Sequence, residues 1–422
     1  MRGAEWLDHL LLVLFASLAR CGDVKPKKET YLPDYAVYHN LSTIQTHIGE
    51  LAASHPGLIK LDPMYKSRNN RSQFLLRITN FTDSRSSTAS NQMVNQKVKM
   101  LLSYGEHARE FLPIESMFHL LHNLTEGLKS PKGSPPEIYS RTVLSKIDLF
   151  IVAIVNPDGR KYVEDTKNYC WRGTRNGVDL NRNFDWRFGQ KGSSADKNDE
   201  EFRGSYAFSE PECLVLTDLT AKYHFDAFVS FHSGIRQIYV PFADTVSKEQ
   251  RKQPENILNM MDLAHKMAEA TSHTFSYGVA YQVNDYTADG TVFDYMAGVR
   301  KIPFSFAIEL WGIGDHPGAK CFDLFNPQSQ DLQRAVTEVH PIYFTLFKYL
   351  ISWKEEELEY MSDATRDAPS LTLGYVLLLL CILLTFFVSI HSRLPPCLRL
   401  YPRRRVISIR SLSSTFSIMN FS

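Results

Sequence analysis

Three apolar runs end in ionisable residues. VKMLLSY (98–104) leads into GEHARE, which sets His107 and Glu110 three residues apart with Arg109 between them. FDAFVSF (225–231) ends at His232, and FSFAI (304–308) ends at Glu309. Two imidazole nitrogens and a carboxylate oxygen suit a zinc ion. Three protein ligands leave a fourth position for water, which separates a catalytic site from a structural one. Taken alone, GEHARE reads more readily as a solvated turn, and His232 equally as a satisfied core histidine. Glu309, between Ile308 and Leu310, resists that reading. A carboxylate in an apolar strand is costly to bury unless it is paired or used.

The surrounding pattern predicts what positions them. LSTIQTHIGELAASHP reads as a helix with Ser42 or Thr43 as its cap. FLLRITN (74–80), VKMLLSY and LFIVAIV (149–155) read as strands, with a polar hairpin or loop over 83–96. Helices are expected over 112–128, 210–223, 247–272 and 328–350. Long loops are expected over 185–206 and around Tyr286–Asp294. Continuous apolar runs separated by helices indicate buried strands. The expected fold is α/β: one domain with a mixed, mostly parallel central sheet flanked by helices. In such a sheet the carboxyl ends of the strands line the ligand crevice.

The 422 residues carry a net charge of +1. The segment after Ile390 holds six arginines and no acid, so the rest of the chain is acidic. A nucleic-acid binder needs a basic face on its folded part, and none is evident. Residues 9–19, HLLLVLFASLA, resemble the apolar region of a signal peptide (1–21), although Glu5 and Asp8 offset Arg2. The alternative is a buried N-terminal helix. Residues 371–390 form twenty uncharged residues, about 30 Å of helix. Acidic residues precede this run over a stalk (353–370), and the arginine-rich tail (391–422) follows it, so the basic side is expected in the cytoplasm. A single-pass type I membrane protein of the secretory pathway or cell surface is therefore expected. A lipid-anchor signal is the weaker competitor. Outside the membrane, Cys170, Cys213 and Cys321 allow one disulfide and leave one thiol, with the pairing open. Sequons at Asn40, Asn70, Asn80 and Asn123 suit glycosylation there.

Over residues 35–352 the chain resembles the zinc metallocarboxypeptidases of the carboxypeptidase A/B type. The resemblance implies one Zn²⁺ per chain, held by His107, Glu110 and His232. It places the general base at Glu309 and a carbonyl-polarising arginine at Arg172, in NPDGRKYVEDTKNYCWR. It places the grip on a terminal carboxylate at Asn181 and Arg182 in DLNRNF, a capping tyrosine at Tyr286, and further substrate contact at Arg109. The implied reaction is removal of single C-terminal residues from peptides or proteins by a monomer.

This sequence departs from the family pattern in places. Gly234 stands where the family often has tyrosine. Phe293 falls at the floor of the pocket for the terminal side chain, where aspartate would select Lys or Arg. A second position tied to basic selectivity falls on Ala243, with Asp244 adjacent. The preference expected is neutral or hydrophobic, with basic the rival. The resemblance begins close behind the leader, with 22–34 as a linker and no folded pro-domain, so an enzyme active once folded is expected. The alternatives are an inert peptide-binding module on the same fold and a zinc amidohydrolase acting on N-acyl amino acids.

Overall fold

The computed structural model describes residues 33–81, 97–313 and 319–393. The leader, most of the linker, the segment 83–96 and the tail beyond 393 lie outside the described residues. The chain divides into two units, 1–356 and 357–422.

In the first unit, α1 (Leu41–Ser54) is capped by Asn40, whose Oδ1 accepts from Thr43 N at 2.9 Å. The cap is thus Asn40 rather than Ser42 or Thr43. Strands β1 (Ile59–Asp62), β2 (Leu75–Ile78) and β3 (Val98–Tyr104) follow, then α2 (Leu112–Gly127), α3 (Pro135–Lys146), β4 (Ile147–Val152) and α4 (Pro157–Thr166). Next come α5 (Leu214–Lys222), β5 (Ala227–His232), β6 (Arg236–Val240), α6 (Thr245–Gln250) and α7 (Ile257–Glu269). The expected helix over 247–272 is therefore two helices. Arg251 adopts left-handed backbone (φ 51°), and Pro254 cannot continue the ladder. The remaining elements are β7 (Ser276–Val279), α8 (Ala280–Val283), α9 (Val292–Gly298), β8 (Phe304–Leu310), α10 (Cys321–Phe325) and α11 (Leu332–Arg393). The predicted last helix, 328–350, thus starts at Leu332 and runs well beyond its expected end.

The sheet is mixed and runs β1-β2-β4-β3-β5-β8-β6-β7. Its centre, β4-β3-β5-β8, is parallel, while β1, β2 and β6 pair antiparallel with their inner neighbours. Side chains alternate across a strand, so each apolar run feeds two cores. Met100, Leu102 and Tyr104 enter one core and Leu101 the other. Phe304, Phe306 and Ile308 join the first core, and Ala307 joins the second. Both faces are covered, which is why these strands read as continuous hydrophobic runs. A disulfide joins Cys170 to Cys321 across 151 residues, and Cys213 is a buried free thiol.

In the second unit, Gly374–His391 is helical, long and apolar enough to cross a membrane, and unburied.

Candidate metal centre and cleft

Strand order gathers the ionisable ends. β3, β5 and β8 are adjacent and parallel, so their carboxyl ends share one edge, and His232 is the cross-strand partner of Glu309. After β3 the chain turns at Gly105 (φ 65°), where a Cβ would lie 3.1 Å from Ile114 Cδ1 and 3.2 Å from Ile154 Cγ1. A larger residue there would carry both a backbone and a packing penalty. This turn delivers His107 and Glu110 beside His232.

All three side chains are buried. His107 Nδ1 lies 2.7 Å from Glu110 Oε1 and 3.1 Å from His232 Nδ1, and His232 Nδ1 lies 3.1 Å from Glu110 Oε2. The far nitrogens settle the tautomers. His107 Nε2 faces Asp179 Oδ1 at 3.1 Å, and a carboxylate only accepts, so Nε2 carries the proton. His232 Nε2 contacts Ser230 Oγ at 2.6 Å, and that hydroxyl donates onward to Glu106 Oε1 at 2.8 Å. His232 Nε2 is therefore also the donor. Both Nδ1 lone pairs then converge on each other and on a carboxylate. Three acceptors facing one another are stable around a cation, and the donor set is that of zinc. The residues fit the ion that the sequence implies. Burial opposes charge on Glu110, yet the two imidazoles hold its carboxyl far below the usual range. Burial likewise works against a charged His232, but Glu106 and Glu110 favour positive charge there. A divalent ion satisfies the same demand.

Glu309 points to the same side as His232. Its Oε2 is buried without a hydrogen-bond partner, and burial, with Glu110 next, pushes its carboxyl up to about 7. A carboxylate left this way is poised to exchange a proton near neutral pH.

The cationic side comes from the segment 170–182. Arg172 Nε donates to Asp179 Oδ2 at 2.8 Å, and its Nη1 lies 4.0 Å from Glu110 Oε1. Burial works against the Arg172 charge, but Asp179 and Glu110 together secure it. Asn181 and Arg182 sit in a 3-10 turn, Leu180–Arg182, capped by Asp179. Asn181 Oδ1 accepts from Val292 N at 2.9 Å, leaving its amide hydrogens to donate. Asp179 is fully buried. Burial opposes its ionisation, yet Arg172 and His107 hold its carboxyl well below the usual range. Asp179, within DLNRNF, is not among the residues that the sequence pattern singles out, and neither are Glu106 and Ser230. A buried second carboxylate behind each imidazole was the available signal, and GEHARE shows one at its second position.

Other predicted residues fall around this centre. Arg109 Nη1 donates to Cys170 O at 3.0 Å and Glu200 Oε2 at 2.8 Å, and its guanidinium lies 4.1 Å over the Phe325 ring. Tyr286 is 57% exposed. Phe293 lies buried in the second core. A Cβ on Gly234 would meet Phe325 Cε1 at 3.2 Å. The Phe325 ring occupies the space into which a tyrosine at 234 would reach. Asp244 is committed elsewhere: Oδ2 accepts from Trp186 Nε1 and Oδ1 caps α6 through Ser247 N, both at 2.8 Å. Asp294 likewise accepts from Ala243 N, and burial, with Asp244 beside it, pushes its carboxyl well up.

The chain matches the zinc carboxypeptidase family over residues 44–341. It is 28% identical to bovine (Bos taurus) carboxypeptidase A1 over 322 residues, 73% of this chain and 69% of that one. It is 26% identical to zinc carboxypeptidase A 1 of Anopheles gambiae, covering 67% of this chain but 62% of the relative. In fold it is similar to the crystal structure of carboxypeptidase A from Helicoverpa armigera, with a TM-score of 0.62 at 22% identity, covering 82% and 81% of the two chains.

Proposed function

The chain belongs to the zinc carboxypeptidase family, and on that premise we propose that it removes single amino acids from the C-termini of peptides or proteins. The observation that carries this reading is the buried, unpartnered Oε2 of Glu309 beside the converging His107, Glu110 and His232 donors. A zinc ion held there supplies an acidified water and a Lewis acid for the scissile carbonyl. Glu309 takes the water's proton and returns it to the leaving amine. Arg172, its charge secured by Asp179, meets the oxygen where negative charge develops. Asn181 and Arg182 hold the substrate's terminal carboxylate, which an internal peptide bond cannot offer. Tyr286 closes over the bound end, and Arg109 contacts the peptide further out. The rest of residues 35–352 forms the body that carries the cleft.

An apolar pocket floor at Phe293 and the commitments of Asp244 and Asp294 favour neutral or hydrophobic terminal residues over basic ones. The exposed apolar helix within 371–390 supports a membrane anchor behind the acidic stalk, with the catalytic domain in the secretory lumen or outside the cell. In that compartment the Cys170–Cys321 disulfide is stable. Asn70 is exposed, whereas Asn123 lies within α2 with Nδ2 donating to His119 O, so Asn70 is the readier glycan acceptor.

The test is a peptide library varied only at its last residue, offered to the zinc-loaded protein. Single residues, neutral ones first, should be released, and a chelator or Glu309→Gln should stop the release. Stoichiometric zinc with no release from any peptide would refute the reading.

A further inference from the structure

The arginine assigned to the substrate's terminal carboxylate already holds one from its own chain. Arg182 Nη2 donates to Glu201 Oε1 at 2.7 Å. Its Nη1 donates to Asn181 O at 3.0 Å and its Nε to Gly192 O at 3.1 Å. Asp179 Oδ2 lies 3.8 Å from Nη1. The two ends of the Arg182–Glu201 pair differ in freedom. The arginine side chain is 4% exposed and the glutamate's is 39% exposed. Two backbone carbonyls clamp the guanidinium, while the Glu201 carboxylate has a solvent-facing side.

The backbone at Glu201 is tied down independently. Glu201 N donates to Asp199 Oδ1 at 2.9 Å, its carbonyl accepts from Ser194 N at 3.0 Å, and Phe202 bridges to Ser194. The carboxylate can therefore leave by side-chain rotation alone, with no opening of the loop.

We propose that Glu201 is an internal competitor for the terminal-carboxylate subsite: its carboxylate occupies the donor edge of Arg182 that a substrate's terminal carboxylate must take, and substrate binds by displacing it. The inference rests on the reading of Arg182 as the terminal-carboxylate grip. The charge count makes displacement necessary. Asp179, 3.8 Å away, is shared with Arg172, and with Glu201 in place a further carboxylate would face a guanidinium whose charge is already met. A terminal carboxylate wins by bringing the rest of the substrate's contacts with it, while a small free carboxylate has only the exchange of one ion pair for another. The cost of displacing Glu201 is the same for a peptide end and for a free carboxylate, so the residue lowers the affinity of the subsite for both, the released amino acid included.

The experiment uses the full chain in detergent, zinc-loaded, as wild type, Glu201→Ala, Glu201→Gln and Asp196→Asn. Asp196 is exposed, lies on the same loop and bonds only within it, so its variant makes the charge change of Glu201→Gln without touching Arg182. With an N-acyl dipeptide ending in phenylalanine, Glu201→Ala should lower KM by roughly three- to tenfold, the range for releasing one partly exposed, charge-assisted pair, with kcat little changed. Product inhibition by free phenylalanine should tighten by a similar factor, and Asp196→Asn should leave KM where it was. A Glu201 that merely braced Arg182 would give the opposite sign, a raised KM in both Glu201 variants, and that result or an unchanged KM overturns the proposal. Calorimetric binding of N-benzoyl-phenylalanine keeps the outcomes separable. Tighter binding by Glu201→Ala in a protein that releases nothing would fault the hydrolytic reading and support the role of Glu201. Equal binding would overturn that role whatever the turnover.

Discussion

The ligand half of the cleft and the cationic half are anchored in different ways. His107, Glu110, His232 and Glu309 hang on the ends of three neighbouring parallel strands, so backbone register sets their spacing. Arg172, Asn181 and Arg182 come from one irregular segment and one 3-10 turn, with no strand beneath them. Their positions depend on ion pairs and on backbone carbonyls such as Gly192 O. The strand-borne half has few ways to move without slipping a sheet. The loop-borne half is held by side-chain and carbonyl partners instead, and Arg182 holds Glu201. One residue joins the halves: Asp179 bonds His107 on one side and Arg172 on the other.

The comparison can be broken at graded points. The largest effect is expected at Glu309, to which the proposed reaction gives proton transfer alone. Glu309→Gln should cut kcat by about 10³-fold or more, within reach of the loss expected for a general acid–base group, while zinc stoichiometry by atomic absorption stays at one per chain. Loss of the metal along with the rate would show that Glu309 belongs to the ligand set instead.

The next effect tests the joint. Asp179→Asn should weaken zinc binding by about 10–100-fold, as removal of a carboxylate behind a ligating imidazole does. It should also raise KM, because Arg172 and Arg182 lose their shared counter-charge. Competition with a chelator reads the first change and steady-state kinetics the second. If only one of the two moves, the halves are independent and the comparison fails at its centre.

The smallest effect lies away from the cleft and separates damage to the site from damage to the fold. Burial, reinforced by His119, pushes the His340 imidazole on α11 down to about 4, and its Nδ1 has no hydrogen-bond partner. Folded pKa below unfolded pKa means that the unfolded chain binds the proton first. Stability is therefore full above about 6.5 and falls as the pH drops toward 4. The loss should be on the order of 1–2 kcal/mol, discounted for the partial exposure of the ring. Melting curves between pH 7 and 4 should be flatter for His340→Gln than for wild type. Equal slopes would remove His340 from the account of acid sensitivity.

How much was legible follows the same division. VKMLLSY, FDAFVSF and FSFAIEL announce buried strands by apolar continuity, and the ionisable residue ending each run marks the crevice. Strands β1, β6 and β7 lie toward the edges of the sheet, are four or five residues long, and were not read from the sequence. Short edge strands need less apolar sequence, so pattern detects them poorly. The split of 247–272 was visible in Pro254, and the α1 cap in Asn40, one residue before the range considered. The disulfide choice among three cysteines rested wholly on which loops meet in space.

Residue types and order along the chain determined the donor set, the α/β class and the family, because ligand chemistry and hydrophobic period are local properties. Tertiary structure alone decided that β3, β5 and β8 are neighbours, that Asp179 backs both a ligand and an arginine, and that Glu201 sits on Arg182. Those are contacts between segments far apart or turned back on themselves. Sheet register and loop closure fix them, and neither is written in any single stretch of sequence.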